Sequence, residues 1–252
     1  MKYLITAAGG NATAIEEIEK SGRDLPARGH QLLADWQTAE QAGFLDKKQK
    51  GFTMAGGEFC GNATRAAAVL LSNSQSVKGL KFRTSGFDSI VLADVEKLND
   101  RSFYVKARFP NMKITVKKTI WNQQNVTIVS LGGIVQAVIE VPEPKDSTAA
   151  LIQFIRDNDL ESELAVGMVW TEITKTKVKI TPIVWVRDSK TLFRETSCGS
   201  GAIAAAIATG KSNIAQPTGQ IISANIGADY VELASSIEII DRKGEQWKSK
   251  KS

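Results

Sequence analysis

Two cysteines and one histidine are all that 252 residues contain, and these scarcities narrow the chemistry first. A lone histidine, His30, in a segment that reads as exposed, excludes a histidine-based triad and a multi-histidine metal centre. Two cysteines cannot staple a chain of this length, and they fit neither a zinc site nor a CxxC redox pair. Long hydrophobic runs are missing too. The longest, Ala202 to Ala208, falls far short of the roughly 20 residues that span a bilayer. Gly9, Gly10 and Asn11 break the chain before any signal-peptide core can form after Lys2, so the expectation is a cytoplasmic protein with no membrane partner. Charge is nearly balanced: 32 Lys and Arg against 27 Asp and Glu leave +5. The basic excess is densest at Lys248, Lys250 and Lys251. No aromatics interleave with a basic stripe, so this tail reads as a solvated end and no nucleic-acid partner is expected.

The remaining composition is that of an ordinary globular protein, with 42% hydrophobic and 23% charged residues and length for one to two domains. Tyr3 to Thr6 reads as a strand, breaking at Ala7-Ala8-Gly9-Gly10-Asn11, where two glycines let the backbone approach a ligand closely. The spacing of Leu32, Leu33 and Trp36 predicts a helix over 28–42 that ends at Gly43. Phe52 to Met54 is a strand candidate, and an Ala/Leu/Val run to Leu71 reads as a buried helix. From about Leu80 to Glu140 the pattern is that of strands; Phe103, Val105 and Ala107 alternate with Tyr104, Lys106 and Arg108. A helix over Thr148 to Asp157 and strands over Gly167 to Thr171 and Lys177 to Val186 follow. The Ala/Ile stretch 202–209 reads as a helix capped by Gly210.

The strongest signal is an internal repeat around the two cysteines. Gly57-Glu58-Phe59-Cys60-Gly61-Asn62-Ala63-Thr64 and Glu195-Thr196-Ser197-Cys198-Gly199-Ser200-Gly201 share one plan: acidic residue, cysteine, glycine, small polar residue, small-residue helix. Each cysteine thus stands where a helix begins, and unpaired amides there stabilise a thiolate and attract anions. The glycine after each cysteine leaves access open. If the halves face each other, two helix N-termini converge on one small anion, most simply a carboxylate. Two sulfurs on opposite faces of a carbon suit stereoinversion, one removing a proton and the other returning one. In a cytoplasmic protein a disulfide between them would be an oxidation product only.

At these residues the chain resembles the diaminopimelate epimerase fold family, and within it the histidine racemases of staphylopine-type metallophore pathways. Gly10-Asn11, Glu40-Gln41-Ala42-Gly43-Phe44 and Gln216-Pro217-Thr218-Gly219 extend the resemblance along most of the chain. It implies an α/β fold of two pseudosymmetric lobes, each a β-sheet wrapped around a central helix, with the site in the cleft between them. The expected division is residues 1–112 with 231–252 carrying Cys60, and 113–230 carrying Cys198; the strand near 231–240 returns to the first lobe. The resemblance further implies that Cys60 and Cys198 are the acid and base and that Gly61-Asn62 and Gly199-Ser200 donate to the substrate carboxylate. Asn11 would contact substrate, and Glu40 takes the position of a pocket glutamate in histidine racemases.

Three features depart from diaminopimelate epimerases. Leu131-Gly132-Gly133-Ile134-Val135-Gln136 replaces an Asn-Pro-His segment, Thr191-Leu192-Phe193-Arg194-Glu195 lacks the Glu-Arg pair for the distal end of the substrate, and Thr53 or Met54 replaces an asparagine. The expectation is therefore a pyridoxal-independent amino-acid racemase needing neither cofactor nor metal, with histidine the leading substrate and homodimerisation open. Diaminopimelate or another amino acid is the alternative substrate, and a non-catalytic binding protein that keeps the cleft is the rival of another class. Glu195 is a candidate to orient Thr196 or the substrate amine, weighed evenly against a capping role. Glu58 reads as structural, Trp170 and Trp185 as core or cleft lining, and Arg187 and Asp188 as pocket rim or a surface pair. Outside the resemblance, Glu40 reads as a solvated helix residue.

Overall fold

The structure, a computed structural model, describes residues 1–19, 24–175 and 177–244. The first half runs β1 (Lys2–Ala7), β2 (Gly10–Glu17), α1 (Leu25–Ala34), β3 (Gln41–Asp46), β4 (Gly51–Met54), α2 (Gly61–Leu71), β5 (Val77–Thr84), β6 (Val91–Lys97) and β7 (Ser102–Pro110). The second runs β8 (Thr115–Trp121), β9 (Gln124–Ser130), β10 (Val135–Ile139), α3 (Ser147–Asp157), β11 (Ala165–Ile173), β12 (Val178–Val186), β13 (Thr191–Arg194), α4 (Gly199–Thr209), β14 (Asn213–Ala215) and β15 (Ile221–Ile226). Strand β16 (Tyr230–Lys243) ends the described chain.

Pairing shows the duplication more plainly than residue identity does. Strands β2 and β3 are parallel with α1 between them, as β10 and β11 are with α3. Strands β4 and β5 are parallel around α2, as β12 and β14 are around α4. A parallel pair needs a crossover, and here each crossover is a helix. Strands β1 to β7 lie side by side in order, and β16 pairs with both β7 and β1, so eight strands close into a ring. On its other edge β16 pairs with β15, which leads through β14, β12, β11, β10 and β9 to β8. The architecture is two pseudosymmetric lobes of α/β type, each a sheet wrapped around one helix.

Composition explains which helices go inside. Residues Gly61 to Leu70 of α2 are all buried, as are Gly199 to Ala206 of α4. Both are dominated by alanine and other small residues, and a helix apolar on every side belongs in a core. Small side chains let strands approach from all directions. Helices α1 and α3 are amphipathic, burying few positions such as Leu32, or Leu151, Phe154 and Ile155.

Several boundaries differ from expectation. The predicted helix over 28–42 is the shorter α1, and residues 41–46 are the buried strand β3. Asp24 caps α1 through the Ala27 amide, and a proline near its start fits a first turn, so the helix begins early. It stops because Trp36 turns inward, its indole N–H donating to Asp241 at 2.9 Å, while 41–45 pair in parallel with β2. Glu40 is therefore on the link into β3, not on a solvated helix. Strand β2 begins at Gly10, inside the expected turn of Ala7 to Asn11, and α4 starts at Gly199 rather than 202. Gly210 does cap α4, with φ 70°. Trp170 lies in the core, and Trp185 packs on that cluster from its half-buried position. Arg187 and Asp188 form an exposed pair at 2.7 Å. Met54 is core and Thr53 half-buried. The basic residues Lys248, Lys250 and Lys251 lie outside the described residues. No helix among the described residues is long and apolar enough to cross a membrane.

Candidate active site

Cys60 is the N-cap of α2 and Cys198 the N-cap of α4. Each sulfur accepts from the amide three residues on, Ala63 at 3.4 Å and Gly201 at 3.2 Å. Both thiols are free. The two helix N-termini abut. A Cβ on Gly199 would lie 3.0 Å from the Asn62 amide nitrogen, and one on Gly61 would lie 3.5 Å from Gly199 Cα and 2.4 Å from Leu233 Cδ1. Glycine at these positions thus lets two helices meet end to end, a requirement added to the open access expected from the sequence. The amides of Gly61, Asn62, Gly199 and Ser200 fall in first turns, where no intrahelical acceptor exists, and none has a partner among the described residues. Two positive dipole ends with free amides thus lie against each other, an arrangement that suits a carboxylate.

Side chains from both halves lock this junction. Asn62 Nδ2 donates to the Ser197 carbonyl at 3.0 Å, and its Oδ1 accepts from Arg65. Arg65 is fully buried, donates to Gly61 O and to Ser235 Oγ, and has no carboxylate partner among the described residues. Burial pulls its guanidinium down to about 10. The Asn62 side chain is thus committed to structure. Gln216 Oε1 accepts from the Cys198 amide at 2.8 Å, orienting the cap from behind.

Each sulfur has a glutamine beside it, which the sequence reading did not single out. Gln41 Nε2 lies 3.2 Å from Cys60 Sγ, and it donates to Asn11 Oδ1 at 2.6 Å and Thr13 Oγ1 at 2.7 Å. Gln136 Nε2 donates to Ser200 Oγ at 2.8 Å and lies 3.9 Å from Cys198 Sγ. Gln41 adjoins Glu40 in a segment that drew attention, and Gln136 stood out only as a departure. Their shared role depends on strand placement, which no local motif encodes.

Asn11 joins the halves. Its backbone is left-handed, with φ 50°; its amide donates to Thr196 Oγ1 at 2.8 Å and its Nδ2 to Glu195 Oε1 at 3.2 Å. Glu40 accepts from the Thr196 hydroxyl and, at 3.3 Å, from its amide. The Gly9-Gly10 turn is packed: a Cβ on Gly10 would lie 2.4 Å from Thr196 Oγ1, and one on Gly9 2.5 Å from the Gln220 side chain. Those glycines admit residues of the second half, where the sequence suggested a ligand.

Beside Gln41, the neighbour of Cys60 Sγ, opens a cavity lined by Glu40, Gln41, Glu58, Val186, Phe193 and Glu195, with exposed His30 at α1 the sole basic contributor among the described residues. It encloses about 30 Å³ within a wider open depression of about 450 Å³. Three carboxylates crowd here. Burial pushes Glu58 up to about 7 and Glu195 up to about 8, the latter helped by the charge of Glu40. Burial also raises Glu40, against hydrogen bonds from Thr196. Cys60 is pushed up to about 12, by burial first and then by Glu195, and Cys198 is raised by the same two causes.

Fold and site together define a class, the isomerases of the diaminopimelate epimerase fold. Among solved structures, a predicted epimerase from Pseudomonas aeruginosa superposes with a TM-score of 0.64 at 11% identity, over 98% of this chain and 99% of that one. A phenazine biosynthesis PhzF-family protein from Enterococcus faecalis gives 0.52 at 14%, over 96% and 98%. Residues 26–241 match the family described as histidine racemase CntK N-terminal domain, and the chain belongs to that family. A histidine racemase of Fusobacterium nucleatum is 26% identical over 208 residues, 79% of this chain and 77% of that one. One of Staphylococcus aureus is 25% identical over 207 residues, covering 76% and 73%. The protein is an isomerase.

Proposed function

We propose that this protein interconverts L- and D-histidine by proton transfer between two cysteines. The observation that carries the reading is the pair of thiols capping two abutting helix N-termini, each with free amides beside it. The substrate carboxylate sits on the amides of Gly61, Asn62, Gly199 and Ser200. As thiolate, one cysteine takes the α-proton, and the electron pair of that C–H bond moves toward the carboxylate, where the helix amides stabilise it. The other cysteine delivers a proton to the opposite face. The enzyme ends with thiol and thiolate exchanged, ready for the reverse reaction.

The carboxylates supply the missing activation. A substrate that brings an ammonium and a cationic or hydrogen-bond-donating side chain offsets Glu40, Glu58 and Glu195, and the thiols become easier to ionise. Asn11 and Glu195 face the substrate amine, and Glu40 closes the two halves over it through Thr196. A substrate with a distal carboxylate, such as diaminopimelate, would meet three acidic groups in the cavity, which disfavours it. The proposal includes the lobe division, with 1–112 and 231–252 on one side and 113–230 on the other. The pairing of β16 with β1 and β7 supports it, although residues 245–252 lie outside the described part. The protein acts on a small molecule in the cytoplasm and needs no pyridoxal cofactor or metal.

Incubating the protein with L-histidine in D₂O tests the reading directly. The expected result is D-histidine with deuterium at the α-carbon, unaffected by chelators or carbonyl reagents. Absence of both inversion and exchange would make the cleft a binding site only.

A further inference from the structure

Glu58 is 7% exposed, yet its Oε2 has no hydrogen-bond partner. Its backbone neighbours, the amides of Gly56 and of Glu58 itself, act on the carboxylate without reaching that oxygen. A buried acceptor left unpaired costs about 1 to 3 kcal/mol, more when charged, so its persistence needs an explanation. Among the described residues no lysine or arginine lines the cavity, and the nearby charges of Glu195, Cys60 and Asp188 are acidic. The carboxyl fits only beside a glycine: a Cβ on Gly56 would lie 2.7 Å from Glu58 Oε2 and 2.5 Å from Val186 Cγ1. The other two carboxylates are already occupied. Glu40 takes two hydrogen bonds from Thr196, and Glu195 takes one from Asn11.

We propose that Glu58 is the specificity residue of the side-chain pocket, its free Oε2 accepting an N–H from the substrate side chain. The inference rests on the racemase reading above and adds the group that recognises the side chain. Glu58 is also the only member of the acidic set contributed by the loop that leads directly into Cys60. A bound side chain is thereby held at a fixed place relative to that thiol. The empty site is a partly protonated carboxyl at neutral pH, and a donor side chain restores its charge. For histidine the partner is one imidazole nitrogen, so the two nitrogens are not equivalent to the enzyme.

Steady-state kinetics of the wild type and of Glu58→Gln test this, with L-histidine, its two N-methyl isomers and a neutral amino acid as substrates. The substitution is expected to raise KM for histidine by about tenfold or more while kcat stays within about threefold, the signature of lost uniform binding. KM for the neutral substrate should not move. In the wild type, methylation of one imidazole nitrogen should raise KM at least about tenfold more than methylation of the other. An unchanged KM in Glu58→Gln, or a loss shared equally by the neutral substrate, overturns the role. If the variant fails to fold, equal KM values for the two methyl isomers in the wild type overturn it. Should the wild type leave histidine untouched but racemise lysine or arginine, with KM rising in Glu58→Gln, the histidine reading fails and the assignment of Glu58 stands.

Discussion

Cys60 and Cys198 cap helices of 11 residues each, with φ, ψ of −132°, 107° and −138°, 112°, yet they stand in different electrostatic surroundings. Cys60 is half-buried beside Gln41, which opens on the cavity. Five residues further on, α2 carries the buried Arg65, and the two groups attract each other electrostatically. Cys198 is fully buried, next to Ser200 and Gln136, and the equivalent position of α4 is Ile203. The duplicated backbone gives both sulfurs the same hydrogen-bonding cap; single residues decide the charge each one feels. A reaction that needs one thiol and one thiolate gains from such an inequality, because unequal surroundings separate the two roles.

The largest expected effect erases the comparison altogether. Cys60→Ser and Cys198→Ser should each lower histidine racemisation by at least about a hundredfold, measured by chiral chromatography, with both variants folded. Near-full activity in either would mean that the second sulfur has no part in the chemistry.

Next in size are the glycines that let the helices meet. Gly61→Ala and Gly199→Ala should each destabilise by about 1 to 3 kcal/mol through overpacking, and lower kcat/KM by shifting the carboxylate-binding amides. They should differ in rescue. The Gly61 side chain would meet the end of Leu233, whereas that of Gly199 would meet the backbone of the opposite helix. Leu233→Ala should restore part of the activity of Gly61→Ala and none of that of Gly199→Ala; equal rescue would show the two contacts to be interchangeable.

A smaller effect sharpens the inequality of the thiols. Iodoacetamide at pH 8 should label Cys60 roughly tenfold faster than Cys198 by peptide mass spectrometry, since Cys60 is half-buried and Cys198 buried. Faster labelling of Cys198 would show it to be the more accessible thiol. Smallest is a stability change with pH. Glu58 and Glu195 titrate near 7 and 8 in the folded protein and near the ordinary carboxylate value when unfolded. Between those limits the folded state binds more protons, so stability is greatest at the acidic end and falls as pH rises through 8. The expected change is a lower Tm at the alkaline end, and Glu58→Gln should reduce it.

The sequence by itself determined the parts of this protein whose physics is local. Cysteine followed by glycine and a run of small residues specifies a buried helix with a sulfur cap. Its occurrence twice implies duplication, and alternation over residues such as Phe103 to Ala107 marks strands. Those patterns located both helices and the cysteines that cap them, whereas the fold class came from the family resemblance. Helix α1 was misjudged because the apolar positions after Trp36 belong to a strand, and short apolar runs satisfy either period until a partner such as β2 is known. Only the tertiary structure decided which polar groups converge. Gln41 and Gln136 reach the sulfurs from strands far from each cysteine in the chain, Thr196 meets Glu40 across 156 positions, and Glu58 keeps an oxygen free because every neighbour able to satisfy it is absent from its surroundings. Pairwise placement of this kind depends on strand register and burial, and those are properties of the closed fold rather than of any segment within it.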